Sequence, residues 1–505
     1  MSQQEQHSVA RRELLKGAVA GVAVPLQSQN SLPDPSLIAN ENRKPGARDW
    51  QLTKVRTASR DGYRSVLVEG YCSHQSIEAG NKLQIMVSTN PPSPFRIEIF
   101  RMGYYGGRGA RLMTTLGPFR GKTQPDPEVG ENRLRECQWE PSAELAVPKD
   151  WPSGVYLGRL TRISDSPNVH DWQSFIVFIV RDRRPADILF QCSDNTWQAY
   201  NRWPDNYSLY TDPAGASVPY VQVSFDRPYA KYPQVVDNPQ SIGSGSFLLW
   251  EFPLCYWLEQ HGYDVTYCSN SDMVEPAQIL RSKVFISVGH DEYWDIRQYD
   301  NAMAGVRAGV TELYLSGNSV CWVTPFRAGI NKRPNRIITR SGRYGGLREV
   351  EKHRFPLAFP MEGPNENLLM GARSPYPYNG GGDWIITKPD HWIFAGAGVK
   401  KGDSVPGLVG WEFHGEPANL PGLEILAEGI ALSGGERPVR WTATIYPGPK
   451  QNFVFNAATI WWAQGLSSPP GHILPWSHWV RPHGPDQRVQ QITDNILRRA
   501  LKRRA

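Results

Sequence analysis

The segment Gly289-His-Asp-Glu-Tyr-Trp294 sets an imidazole and a carboxylate two residues apart, directly after an apolar run. In an extended chain alternate side chains share a side, so His290 and Glu292 point together and Asp291 points away. Such a pair can orient water or stand beside a metal ion. Two further apolar runs end in polar groups. Ser316-Gly-Asn-Ser319 carries Asn318, and Gly407-Leu-Val-Gly-Trp-Glu412 ends in a carboxylate. A fourth stretch, residues 193–210, is dense in amide and ring side chains, among them Tyr200, Tyr207 and Tyr210. Phenol, carboxylate and imidazole form a hard, oxygen-rich set that suits a hard, highly charged cation. A cation of that kind lowers the pKa of water and polarises a carbonyl oxygen, the two demands of hydrolysing an unactivated amide. Other chemistries find less support. There is no Gly-x-Ser-x-Gly elbow, and Gly243-Ser-Gly-Ser246 lacks the full dinucleotide fingerprint. Glu292 and Glu412 form an alternative glycosidase pair, and the aromatic loop an alternative stacking platform in a catalytically inactive carbohydrate- or peptide-binding protein.

The elements that must carry these residues can be read from periodicity. Residues 284–288 are β-branched and aromatic, the signature of a buried parallel strand. Strand-like runs at 187–191, 265–268 and 311–315 alternate with helical patterns at 247–260, 276–281 and 295–308. Asp295 is the N-cap candidate of the last helix, and Gly262 suits the C-terminal cap of the first. This alternation predicts an α/β doubly wound main domain, with ligands at the carboxyl ends of its strands. Ahead of it, residues 51–183 hold short runs separated by Gly, Pro, Asn and Ser, which predicts an all-β immunoglobulin-like sandwich without catalytic residue types. Arg181-Asp-Arg-Arg-Pro185 marks the boundary. The expected division is an export signal over 1–30, a linker over 31–50, the sandwich over 51–183 and the α/β domain over 185–505. Beyond residue 327 the pattern loosens, until an apolar strand within 451–462 and an amphipathic helix through Val489, Ile492, Ile496 and Leu497.

Composition narrows the class. The chain has 505 residues, 40% hydrophobic and 21% charged, which describes a globular protein of more than one domain. A net charge of +6 with scattered basic residues excludes a nucleic-acid footprint. The six cysteines, at 72, 137, 192, 255, 268 and 321, have neither zinc-site spacing nor the density of a disulfide scaffold. Ala10-Arg-Arg-Glu-Leu-Leu-Lys16 and the short apolar run after it have the shape of a twin-arginine export signal, too short to span a bilayer. That predicts a periplasmic or extracellular protein.

The matching stretches Thr196-Trp-Gln-Ala-Tyr-Asn201, Tyr207-Ser-Leu-Tyr210, Gly289 to Trp294, Leu315-Ser-Gly-Asn318, Gly407 to Glu412 and Asn456-Ala-Ala-Thr-Ile-Trp461 carry a family resemblance. Residues from about 185 to 465 resemble the C-terminal domain of the large subunit of N,N-dimethylformamidase, a family of mononuclear ferric amide hydrolases with a glutamine-amidotransferase-like fold. The resemblance implies iron (Fe3+) held by Tyr200, Tyr210 and Glu292, with Tyr207 the competitor of Tyr210. It implies His290 and Asn318 beside that centre and Glu412 as the base that activates water. The expected substrate is a small-molecule amide or a related compound with a non-peptide C–N bond. The family's small subunit has no counterpart in this chain, and self-association into a homo-oligomer is compatible with it.

Overall fold

The computed structural model describes residues 36–55, 62–164, 171–211, 220–231, 238–352, 359–434, 436–474 and 484–502. The twin-arginine segment lies outside the described residues.

A nine-stranded mixed sheet organises the larger part of the chain. Val265–Ser269, Ala186–Cys192, Ser282–Gly289, Thr311–Ser316 and Phe453–Asn456 lie side by side and parallel. The sheet then continues antiparallel through Arg437–Pro447, Glu424–Ser433, Asn379–Ile385 and Ser404–Glu412. Period-two alternation sends Ile188, Phe190, Val284, Ile286 and Val288 to one face, against Leu254 and Trp257 of the Phe252–Gln260 helix and Ile492 and Ile496 of the Gln487–Leu501 helix. Leu189, Phe285 and Tyr314 take the other face, against Tyr299, Ala302 and Val306 of the Ile296–Ala308 helix. Each such side chain taken fully out of water contributes about 1.5–3 kcal/mol. The Ile296–Ala308 helix starts on a capping box formed by Asp295 and Gln298 and stops at Gly309, whose φ of 101° a residue with a Cβ would resist.

The expected α/β doubly wound fold is therefore corrected. The architecture is predominantly β, with large mixed sheets and comparatively little helix. The region after residue 327, where periodicity fades, supplies the antiparallel strands. Their apolar positions are interrupted by glycines such as Gly381, Gly382, Gly410 and Gly429, and the ladder is broken by irregularities near Trp384 and Ala427, which blurs the alternation.

The preceding segment forms two smaller sheets. Glu69–Cys72, Lys82–Ser88 and Ala143–Ala146 make one, and Ser76–Glu78, Gln173–Arg181, Gly154–Arg162, Pro94–Met102 and Ala110–Arg120 the other. They enclose Leu83, Ile85, Phe95, Ile97, Tyr156 and Phe178. This sandwich departs from a purely antiparallel one, because Ser76–Glu78 runs parallel to the end of Gln173–Arg181. A buried bidentate ion pair, Arg101 Nη2 to Glu259 Oε1 at 2.8 Å and Nη1 to Oε2 at 3.0 Å, fastens it to the Phe252–Gln260 helix. All six cysteines are buried and unpaired.

Candidate metal centre

Gly289 ends the Ser282–Gly289 strand at φ +71°, and a Cβ there would lie 2.6 Å from that of Trp250. The chain turns at this point and lays down His290, Asp291 and Glu292, all buried. Asp291 points into a separate amide and hydroxyl network, accepting from Asn270 Nδ2 at 3.0 Å and Ser287 Oγ at 2.8 Å. His290 and Glu292 point together, with Nε2 3.3 Å from Glu292 Oε2.

Tyr200 follows the short Asp194–Ala199 helix. Thr196 of that helix accepts the Glu292 N–H at 2.9 Å, which locks the two elements in register. The buried Arg227 guanidinium donates to the carbonyls of Asn201, Trp203 and Tyr207 at 2.9, 2.7 and 2.8 Å, and so folds the aromatic loop around itself. The result brings Tyr210 back over Tyr200, their rings stacked with centroids 4.8 Å apart. Tyr200 Oη donates to Glu292 Oε2 at 2.8 Å, and Tyr210 Oη lies 3.1 Å from Tyr200 Oη and 3.5 Å from Glu292 Oε1. Tyr207 is elsewhere, its ring between the Arg133 and Arg135 guanidiniums.

Across the site, Glu412 ends the Ser404–Glu412 strand one residue after Trp411, whose φ of +60° turns the chain. Its Oε2 lies 2.7 Å from His290 Nε2 and accepts from Asn318 Nδ2 at 3.0 Å. Asn318 Nδ2 also donates to Glu292 Oε1 at 3.2 Å, while its Oδ1 accepts from Ser374 Oγ at 2.7 Å. One amide thus joins the two carboxylates. Tyr200, Tyr210, Glu292, His290, Asn318 and Glu412 therefore form a single buried cluster.

Four further participants were not among the expected site residues. Trp322 Nε1 donates to Glu292 Oε1 at 2.9 Å, and Ser374 fixes Asn318. The Tyr293 hydroxyl contacts that of Tyr210, and the Arg340 guanidinium stacks over the Tyr210 ring at 4.7 Å. Tyr293 follows Glu292 and could have been suspected from its neighbour. Trp322, Ser374 and Arg340 sit in loops and short strands where only three-dimensional placement reveals them.

The electrostatics are strained. Burial raises the Tyr200 phenol well above its ordinary range, and the neighbouring Glu292 charge adds to the effect. Tyr210 shifts the same way from the same two causes, partly opposed by Arg340. Both phenols stand as donors to the carboxylate. Burial pulls His290 down, but Glu412 and Glu292 outweigh it and push the imidazole up to about 10. The cluster thus gathers protons around two carboxylates, and a cation seated there would compete for the same negative charge.

The donors fit such a cation. His290, Glu292 and Glu412 each offer a ligand atom within 4.8 Å of the others. The oxygens of Tyr200, Tyr210 and Glu292 lie 2.8–3.5 Å apart. Bonds of about 2.0–2.1 Å to a hard ion give ligand-to-ligand edges of roughly 2.8–3.4 Å, so little movement separates the two arrangements.

Fold and site together define a β-rich protein with a buried, oxygen-lined centre able to hold a metal ion. The family model described as N,N-dimethylformamidase beta subunit-like, C-terminal, matches residues 96–475, and the chain belongs to that family. No curated protein matches the chain. Among solved structures, a family 123 glycoside hydrolase from Clostridium perfringens aligns at 11% identity over 25% of this chain and 27% of its own, with a TM-score of 0.11. The chain spans about a quarter of that protein's length, and a likeness so small carries no argument.

Proposed function

We propose that this protein is a metal-dependent hydrolase of small linear amides. The observation that carries the proposal is the Asn318 amide bridging Glu292, which receives the phenols of Tyr200 and Tyr210, to Glu412, which faces His290. A phenol-and-carboxylate group suited to a ferric ion and a second carboxylate suited to a base are therefore joined through one amide. Family membership supports the amide bond as the target.

Tyr200, Tyr210 and Glu292 would hold the ion. When bound, the ion supplies Lewis acidity that polarises the amide carbonyl and lowers the pKa of water. Glu412 takes a proton from the attacking water as its oxygen adds to the carbonyl carbon. The same carboxyl returns that proton to the departing nitrogen as the C–N bond breaks, giving a carboxylic acid and an amine. His290, 2.7 Å from Glu412, orients the carboxylate and balances its charge. Asn318 holds Glu292 and Glu412 at a fixed separation. Export through the segment around Arg11 and Arg12 belongs to the same proposal.

The test is iron content by plasma mass spectrometry with a visible spectrum, followed by a screen of formamides and N-alkyl amides for released amine. One iron per chain, a phenolate-to-iron charge-transfer band and amine release are expected. Protein that takes up no iron on reconstitution and releases no amine overturns the proposal.

A further inference from the structure

Asn318 sits in a loop of unusual backbone. Asn318 and Val320 both have φ of +50°, a region that a β-branched residue enters only where its surroundings impose it. Gly317 is pressed so closely on the Glu412 carbonyl that a Cβ would come within 2.2 Å of that oxygen. The Val320 N–H donates to the Asp291 carbonyl at 3.1 Å and Ser374 fixes the Asn318 side chain, and a further support stands on the far side of the loop. The Ser319 N–H donates to His414 Nε2 at 3.0 Å. That bond occupies the Nε2 lone pair, so the imidazole proton resides on Nδ1, which faces Asn456 Oδ1 at 2.9 Å. Asn456 Oδ1 accepts from Ala458 N as well, at 2.9 Å, and Asn456 Nδ2 donates to the Met370 carbonyl at 3.2 Å, so the orientation of the amide is fixed independently. His414 is wholly buried, and its backbone is held by Ala458 and Thr442.

We infer that His414 is a positioning residue, a neutral strut running from Asn456 to Ser319 that holds the Asn318 amide between Glu292 and Glu412. The inference deepens the proposed hydrolase function and rests on it for its catalytic consequence. His414 follows Glu412 by two residues, so the strand end that supplies the base also props the loop that spaces the base from Glu292. Base and spacer thereby move together.

His414→Asn tests the strut: its amide nitrogen replaces Nδ1 toward Asn456 but is too short to reach Ser319. His414→Gln restores the reach. For His414→Asn we expect kcat to fall about 10-fold, the lower end of the effect of removing a direct partner of a metal ligand, because His414 acts through Ser319 and Asn318, with KM within about twofold and iron retained. Exchange of the Ser319 amide hydrogen should accelerate while the sheet strands keep their protection, and His414→Gln should recover most of both readouts. Unchanged kcat and Ser319 protection in His414→Asn overturn the inference. So does a general loss of protection and melting temperature that the glutamine fails to repair, which would mark His414 as a core residue only. Wild-type protein without iron or amide hydrolysis would sink the functional proposal alone, because the exchange of Ser319 still reports on the strut.

Discussion

Replacing Tyr200 by phenylalanine separates the cost to the fold from the cost to the metal centre. Tyr200→Phe keeps the ring stacked on Tyr210 at 4.8 Å and deletes one oxygen. The direct losses are the 2.8 Å hydrogen bond to Glu292, a charge-assisted bond of about 1.5–3 kcal/mol, and the weaker 3.1 Å contact with the Tyr210 hydroxyl. Glu292 keeps its donors from Trp322 at 2.9 Å and Asn318 at 3.2 Å, so its charge is not left bare. The metal-free variant should therefore lose roughly 2 kcal/mol, a shift of a few degrees at most in a chain of this length. Its effect on iron should be larger. Removing a partner one layer outside a metal typically weakens binding 10–100-fold, so deleting a ligand oxygen should exceed about 100-fold, or about 2.8 kcal/mol. Wild-type protein should melt higher when loaded with ferric iron, because a ligand that binds only the folded state stabilises it, and Tyr200→Phe should gain almost nothing. The assay is paired thermal unfolding with and without iron, with metal content measured on the same samples. A variant that binds one iron per chain and retains the wild-type charge-transfer band would refute the ligand assignment.

Glu412→Gln should retain iron yet lower kcat about 100- to 10,000-fold, the span expected for a general base, as measured by steady-state amine release. Stripping the protein with a chelator should abolish activity and the visible band, and ferric iron should restore both; full activity in the stripped protein would count against the centre. Glu259→Ala leaves the Arg101 cation buried without its carboxylate and should cost about 3–5 kcal/mol by denaturant unfolding, with iron affinity unchanged. Glu251 is buried with its carboxyl pushed up to about 8 by desolvation, above its ordinary value of 4.5. The unfolded chain releases that proton near pH 4.5 and the folded chain only near 8, so this group's contribution to stability declines as pH rises through that window. Glu251→Gln should flatten the decline in melting temperature between pH 5 and 8, and an unaltered slope would show that other groups set it.

Much of the candidate site was legible because it lies where short apolar runs stop. The Ser282–Gly289 run stops just before His290 and Glu292, and although the strand itself ends at Gly289, those two side chains point together and Asp291 away. Asp295 showed itself as a cap because its chemistry is local. The sheet as a whole was not legible in the same way. Five runs of apolar residues gave away the parallel strands, whereas Asn379–Ile385 and Ser404–Glu412 are glycine-broken and mix buried with partly buried positions without clean alternation, so their pairing depends on neighbours distant in sequence. That is why an α/β doubly wound reading failed. Trp322, Ser374 and His414 escaped for a related reason, since a lone indole, hydroxyl or imidazole acquires a role only from what the fold sets beside it. Tyr210 had Tyr207 as its competitor on paper, and the Arg227 guanidinium, a residue with no motif around it, holds the loop that sends Tyr210 toward Glu292 and Tyr207 away.

The joining of Glu292 to Glu412 through Asn318 has a consequence for how the protein comes into being. Tyr200 reaches Glu292 across 92 residues of chain, and Asn318 reaches Glu412 across 94. Contacts so non-local slow folding. No nascent fragment ending before residue 412 contains both carboxylates, so the complete pocket requires the Ser404–Glu412 strand to be in place. The proposed ligands Tyr200, Tyr210 and Glu292 all lie before that strand, so metal capture would register only the parallel half, and it is amide hydrolysis, which needs Glu412, that would report the meeting of the two halves.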